Sequence, residues 1–323
     1  MKKILCFCLT LMLLMILTIS LNHNNIITIK NIFIPINLTE DIIDDYFSNN
    51  TEKKSEAIKQ IKEIVLNDLG FKNWTDYSDY MNILIFPEDI NKNKITDVII
   101  VLNLSKDSSI IAIYENNKTN YRLKYTIKDL PYIEHVSTIN INNNFFLVTE
   151  EIIDEKLGGY YYDKSITIYN HNNNDFKKVF QESKTYEAYF YEGWDNKDIE
   201  NAKWFKLAEN NLIDIIPKND SLNINVDKNL KVYNSDESTT SIPSNFQDIK
   251  QKDFLIKYYW SEKFNYFIQK EGKTIDSGEL VGIVSIYNQY VDSFLSNDEL
   301  TYKIIDENGN LKHENLNNIE ILE

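Results

Sequence analysis

Arginine is almost missing from this chain: Arg122 is the only one among 323 residues. Sites that depend on a bidentate guanidinium grip on phosphate or carboxylate are therefore poorly supplied. Cysteine occurs twice, as Cys6 and Cys8, both inside an N-terminal apolar run. Everything beyond them lacks thiols, which excludes a disulfide framework, a thiolate metal site and a cysteine nucleophile in the body of the chain. Glycine (8) and proline (5) are scarce, so asparagine must take many of the turn positions that need positive φ. Positive charge is short as well: Lys+Arg 34 stand against Asp+Glu 49, a net charge of −15. That balance excludes the basic footprint of non-specific nucleic-acid binding. No G-x-S-x-G elbow, H-E-x-x-H helix or G-x-x-x-x-G-K phosphate loop occurs. The four histidines, His23, His135, His171 and His313, are scattered, and His135 alone lies beside a candidate strand.

What is present begins at the N-terminus. Lys2 and Lys3 precede an uncharged run of 18 residues, Ile4–Leu21. This reads as a secretory signal or a membrane anchor, with Thr18 and Ser20 as small residues for a cleavage site. Either fate sends the bulk of the chain outward, so the expected location is extracytoplasmic, membrane-anchored or secreted. Cleavage would remove Lys2, Lys3 and both cysteines, taking the net charge from −15 to −17.

Four segments follow from the patterning. Residues 1–21 are the signal or anchor, and 22–81 a spacer and helical segment. Residues 82–272 are β-rich, and 273–323 read as a C-terminal helix and hairpin. In the spacer, Ile27, Ile29, Ile32 and Ile34 alternate like a first strand. Thr39 is a candidate N-cap for a helix over Glu40–Phe47. A second helix is expected over Glu52–Leu69, with Ala57, Ile61, Ile64, Val65 and Leu69 on one face and Gly70 ending it. Runs rich in Ile, Val, Tyr and Phe then mark strands at Val98–Leu104, Ile110–Glu115, Phe145–Thr149, Ile166–Tyr169, Leu212–Ile216 and Phe254–Trp260. Aromatic residues seven apart bracket polar turns at Tyr114/Tyr121, Tyr169/Phe176 and Trp260/Phe267, as expected of pairs across hairpins. Near the end, Leu280, Ile283, Val284, Tyr287, Tyr290, Val291 and Phe294 follow helical spacing with Ser277 as N-cap. A closing hairpin is expected around Asp306-Glu-Asn-Gly309-Asn.

The motif with chemistry in it is Asp89-Ile-Asn91-Lys-Asn93-Lys-Ile95-Thr-Asp97, which runs into the apolar strand Val98–Leu102. Side-chain oxygens at alternating positions of a tight loop suit a hard cation such as Ca²⁺, with the carbonyl of Ile95 between them. At these residues the chain resembles the calcium loop of the FG-GAP/VCBS repeat family, over roughly residues 85–130. The resemblance implies calcium ligands at Asp89, Asn91, Asn93 and Asp97, beside the Ile95 carbonyl, and an extracellular β-domain. Lys94 stands where that family has glycine, and Lys92 and Lys94 bring positive charge to the loop. The other reading is a polar loop whose Asx side chains cap their own backbone.

Two further clusters stand out. Glu150, Glu151, Asp154 and Glu155 are dense in carboxylates, but neighbours on a strand point to opposite faces. Tyr160, Tyr161, Tyr162, Trp194 and Trp204 offer a carbohydrate or peptide platform, or else core filling. The fold expected is mainly β with N-terminal helices (α+β), as a degenerate propeller or an open curved antiparallel sheet, plus a small C-terminal helix-hairpin. The function expected is non-enzymatic binding or scaffolding of a protein or polysaccharide at the cell envelope, without nucleic acid and with an optional weak Ca²⁺ site. A membrane partner enters through the N-terminal segment if it is retained. The alternative is an envelope hydrolase whose carboxylates meet only in the fold.

Overall fold

The computed structural model describes residues 37–142, 144–155, 161–172, 175–195, 199, 201–218, 220–237, 239, 241–287 and 300–322. The leader, the alternating isoleucines of the spacer, Tyr160, and Tyr290, Val291 and Phe294 lie outside the described residues. The fold below is that of the compact unit Leu38–Glu323.

Helix α1 (Glu40–Phe47) starts after Thr39, although the Thr39 side chain makes no capping bond. Helix α2 (Thr51–Asp68) is capped by Asn50, whose side chain accepts from the amides of Glu52 and Lys53. It ends at Gly70, which takes φ +78°. A 3-10 helix (Lys72–Tyr80) leads into a four-stranded meander of β1 (Asn82–Glu88), β2 (Asp97–Ser105), β3 (Ser108–Asn116) and β4 (Tyr121–Leu130). The helices bury Ile61, Ile64 and Val65 against Val98, Ile100 and Leu102 of β2, so helices and sheet share one core. The opposite face of β2, Ile99 and Val101, packs against the next sheet. Burial on both faces explains why β2 reads as an unbroken apolar run rather than an alternation.

The second sheet has eight antiparallel strands joined in sequence. They are β5 (Tyr132–Ile141), β6 (Asn144–Asp154), β7 (Tyr161–Asn172), β8 (Asp175–Tyr191), β9 (Trp204–Lys218), β10 (Ser221–Ser235), β11 (Gln247–Ser261) and β12 (Tyr266–Ile268). An uninterrupted order of this length is an open curled sheet rather than a set of four-stranded blades. The curl is sharp because β8 and β9 pair only over Thr185–Tyr191 with Trp204–Asn210. Below that stretch β8 stays with β7, and β9 stays with β10. The register skips Lys184, a β-bulge that bends β8 where the two strands part. The separated halves close on a core of Phe146, Ile168 and Phe180 from one side and Ile224, Ile256, Trp260 and Phe267 from the other.

All three aromatic pairs sit across hairpins and share a core. Tyr114 and Tyr121 join the helix-side core, Tyr169 and Phe176 the core between the sheets, and Trp260 and Phe267 the core of the curl. Trp260 and Phe267 oppose each other in register, with ring centroids 5.4 Å apart.

The third sheet, in the order β16 (Leu311–Asn315), β15 (Thr301–Asp306), β14 (Leu280–Tyr287), β13 (Lys270–Thr274) and β17 (Ile319–Ile321), corrects one expectation. Leu280, Ile283, Val284 and Tyr287 do not form a helix. They belong to strand β14 (Leu280–Tyr287), flanked by β13 (Lys270–Thr274) and β15 (Thr301–Asp306). The segment is dense in β-branched residues, and Val281 and Ile283 alternate into the core. Gly282 also demands a strand here, for a Cβ would lie 2.7 Å from Ile268 and 3.0 Å from Ile305. Ser277 serves a turn instead of a helix, bonding Thr274. The closing hairpin forms as expected: β15 pairs with β16 (Leu311–Asn315) around Gly309 at φ +82°. Strand β17 (Ile319–Ile321) then pairs with β13.

Candidate functional site

The loop between β1 and β2 is organised by its Asx side chains. The Asp89 carboxylate accepts from the amides of Asn93 (3.0 Å) and Lys94 (2.8 Å). Asn91 Oδ1 accepts from Asn93 N, and Asn93 Oδ1 from Ile95 N. Lys92 and Lys94 both take left-handed backbone, at φ +58° and +67°. This is the conformation for which a glycine would have been the easier residue. Lys92 carries its ammonium out of the loop to the carbonyl of Asn142. Asp97, at the start of β2, is buried and accepts from the amide of Asn116 at 3.0 Å.

The electrostatics of this corner are unbalanced. Burial raises the Asp97 carboxyl above its usual range, the Asn116 and Ile90 amides oppose that, and the negative charges of Glu115 and Asp89 raise it further. Asn91 Nδ2 donates to Glu115 at 3.1 Å, which ties that third carboxylate to the loop. The donor set is all oxygen and its surplus charge is negative, so the residues fit a hard cation in chemistry. No three acidic, histidine or cysteine side chains converge at metal-binding distance among the described residues. Amide and carbonyl oxygens would have to complete any shell around Asp89 and Asp97.

The other sequence candidates disperse. Glu150 is held by Lys164 (3.1 Å) and Lys184 (2.9 Å); burial alone would raise its carboxyl, but the two ammoniums keep it below the usual range. Glu151 is buried on the opposite face, accepting from Thr149 and Tyr169. The strand alternation therefore separates the pair, as the sequence implied. Trp204 is fully buried and donates its indole N–H to the carbonyl of Thr239. Trp194, on the short helix α3 (Glu192–Asp195), stacks edge-on against it and stays half exposed. His135 is exposed on β5, with its ring edge-on to Phe86 at 6.2 Å.

Sequence reasoning missed two sites. The first lies on the solvent face of β9–β11, where the register builds three rows across the strands: Leu212–Asp227–Leu255, Asp214–Asn225–Lys257 and Ile216–Asn223–Tyr259. Leu212 and Leu255 are 63% and 65% exposed, an unusual state for leucine on a sheet. A shallow groove of about 470 Å³ runs beside them, lined by Ile216, Asn223, Asn225, Lys257, Tyr259 and Gln269. The strand Leu212–Ile216 was legible, but which of its faces met solvent was not.

The second missed site is a buried charge cluster where β8 and β9 part. Lys228 lies 2.8 Å from Glu182 and 3.1 Å from Glu209, and only 6% of its side chain is exposed. Asp163 joins them electrostatically and is held by the Ser183 side chain. Asn211 fills the gap in the ladder, donating to the carbonyl of Ser183 at 2.8 Å and accepting from the amide of Asn229. The fold thus does gather distant carboxylates, but around an ammonium and away from solvent. This arrangement sets three carboxylates against one ammonium, which pairs directly with two of them. One signal was available: in Leu222-x-Ile224-x-Val226-x-Lys228-x-Leu230-x-Val232 a lysine occupies an apolar phase.

No protein-family model matches the chain, and comparison with curated proteins finds no match.

Proposed function

We propose that this chain is an exported binding protein of the cell envelope, and that it engages polysaccharide through the solvent face of β9–β11. The carrying observation is the grid of rows on that face. Its amides and the Lys257 ammonium can hydrogen-bond sugar hydroxyls, while Tyr259 and Ile216 offer apolar surface to ring C–H groups. Exposed apolar side chains interspersed with polar ones on one sheet face, Leu212, Leu255 and Ile216 among them, support contact with a partner. The uncharged run after Lys2 and Lys3 supports an outward location. The Asp89–Asp97 loop joins this reading as a weak calcium corner, with Asp89, Asn91, Asn93, the Ile95 carbonyl and Asp97 as the residues that would hold the ion.

Cosedimentation with insoluble envelope polysaccharide tests the reading. Wild-type protein is expected to pellet with the glycan, and Tyr259→Ala to weaken retention by about tenfold, the equivalent of 1.4 kcal/mol, while keeping its circular dichroism spectrum. Retention that ignores Tyr259→Ala, or no retention at all, overturns the glycan assignment. Loss of a protein partner in Leu212→Ser or Leu255→Ser, without glycan binding, would transfer the same face to protein recognition.

A further inference from the structure

We propose that the seam where β8 and β9 part is an acid-tightened latch, in which Asp163, Glu182 and Glu209 share the single ammonium of Lys228 and the cluster closes most firmly once it takes up a proton. The geometry carries this. Glu182 of β8 and Glu209 of β9 contact one lysine of β10, whose side chain is buried, and Asp163 of β7 adds a third negative charge beside them. Fully ionised, the cluster holds two negative charges without a partner, and a low-dielectric site penalises that state. One proton relieves half of the excess and turns an acceptor into a donor. Asp163 Oδ1 is buried and has no hydrogen-bond partner, so its ionised form carries charge that no donor stabilises and protonation relieves that cost.

Among the described residues that lie opposite the cluster in the ladders, none supplies a further positive charge. Tyr186 stands opposite Glu209 and Asp163 in the ladder. On β11, Phe254 lies opposite Lys228 and the exposed Lys252 opposite Leu230. On β6, Ile153 lies opposite Asp163. The nearby ammoniums of Lys164 and Lys184 are engaged by Glu134 and Glu150.

The direction of the pH response follows from each group. Burial raises Glu182; Lys228 opposes this and Glu209 reinforces it. Burial also raises Asp163, with Ser183 and Lys228 opposing and Glu209 and Glu182 reinforcing. A carboxyl raised in the folded state binds its proton more tightly there than in the unfolded chain. Its contribution is complete below the ordinary carboxylate range and fades as pH rises through the raised value. For Lys228 burial works downward, but Glu182 and Glu209 outweigh it and hold the ammonium above its usual value. That contribution persists through neutral pH and is lost only in strong alkali. The seam should therefore be firmest in mild acid and looser at neutral pH.

Hydrogen exchange on the full chain tests this, with rates corrected for intrinsic pH dependence. Amides of Thr185–Tyr191 and Trp204–Asn210 are expected to gain protection several-fold at pH 5 over pH 7.5, since pH 5 realises only part of the linkage. Glu182→Gln and Asp163→Asn should hold acid-like protection at pH 7.5, while amides of β2 and β3 respond equally in all forms. Should Glu182→Gln fail to fold, Asp163→Asn and the wild-type pH response still decide. Seam protection independent of pH in the wild type overturns the proposal. So does a pH response in folded Glu182→Gln and Asp163→Asn equal to that of the wild type.

Discussion

Asp97 shows how much a single buried carboxylate determines in this chain. It satisfies the buried Asn116 amide, and it sits under the negative fields of Glu115 and Asp89. Asp97→Ala is expected to cost about 1–3 kcal/mol by leaving that amide unpaired, whereas Asp97→Asn keeps an acceptor and should cost less; urea unfolding separates the two. The same residue decides the calcium reading. Its raised carboxyl is destabilising once ionised, and a cation would reverse that sign. Millimolar calcium, in the ~10⁻⁴–10⁻³ M affinity range of extracellular modules, should raise the melting temperature at pH 7.5 relative to chelator. The gain should shrink at pH 5 and vanish in Asp97→Asn. An unchanged melting temperature in the wild type removes the ion from the proposal. The oxygen spacing from Asp89 to Asp97 was legible in the sequence. That Lys92 turns away to Asn142 was not, because its partner lies 50 residues on.

Between elements, Asn103 is one of the residues that join the first two sheets. It is buried on β2, donates to the carbonyl of Ile133 at 2.9 Å and accepts from the Ile133 amide at 3.0 Å, at a bulge in β5. Ile133 keeps Glu151 as its ladder partner, and because β5 is the edge strand of its sheet the Asn103 side chain takes the place of a neighbouring strand there. Asn103→Ala should strip both bonds, destabilise by roughly 2 kcal/mol or more, and speed exchange of the Ile133 amide ahead of its neighbours. Unaltered exchange there would show the bridge to be dispensable. At this scale the strands were readable wherever an apolar run was long, as at Val98–Leu104 or Phe254–Trp260. The segment Leu280–Tyr287 was misread because its apolar residues satisfy the helical spacing as well as alternation over so short a length. Pairing with β13 and β15, and the close packing around Gly282, settled the choice.

Over the whole molecule, the charge of −15 is distributed unevenly in consequence. Most acidic side chains face water, yet Glu151, Glu209 and Asp97 are buried and each has a specific partner. Exposed acidity opposes self-association through like-charge repulsion, while buried acidity ties strands together. The export reading has its own check. Protease added to intact cells should degrade the chain, and the mass of the mature N-terminus should distinguish cleavage near Ser20 from retention of Ile4–Leu21. A chain fully protected until lysis would contradict an outward location.

The sequence by itself determined the local order: two helices, the long buried strands, the three aromatic hairpins, the Asx loop and the closing turn. Each depends on spacing within a few residues, through cap chemistry, alternation or turn preference, and such signals survive in one dimension. Tertiary structure alone decided that eight strands form one sheet that folds over itself, that Lys228 pairs with acids from two other strands, and that Leu212 and Leu255 face water. Those outcomes depend on contacts between residues far apart in the chain. The bulge at Lys184 and the parting of β8 from β9 bring them about, by turning the second half of the sheet onto the first.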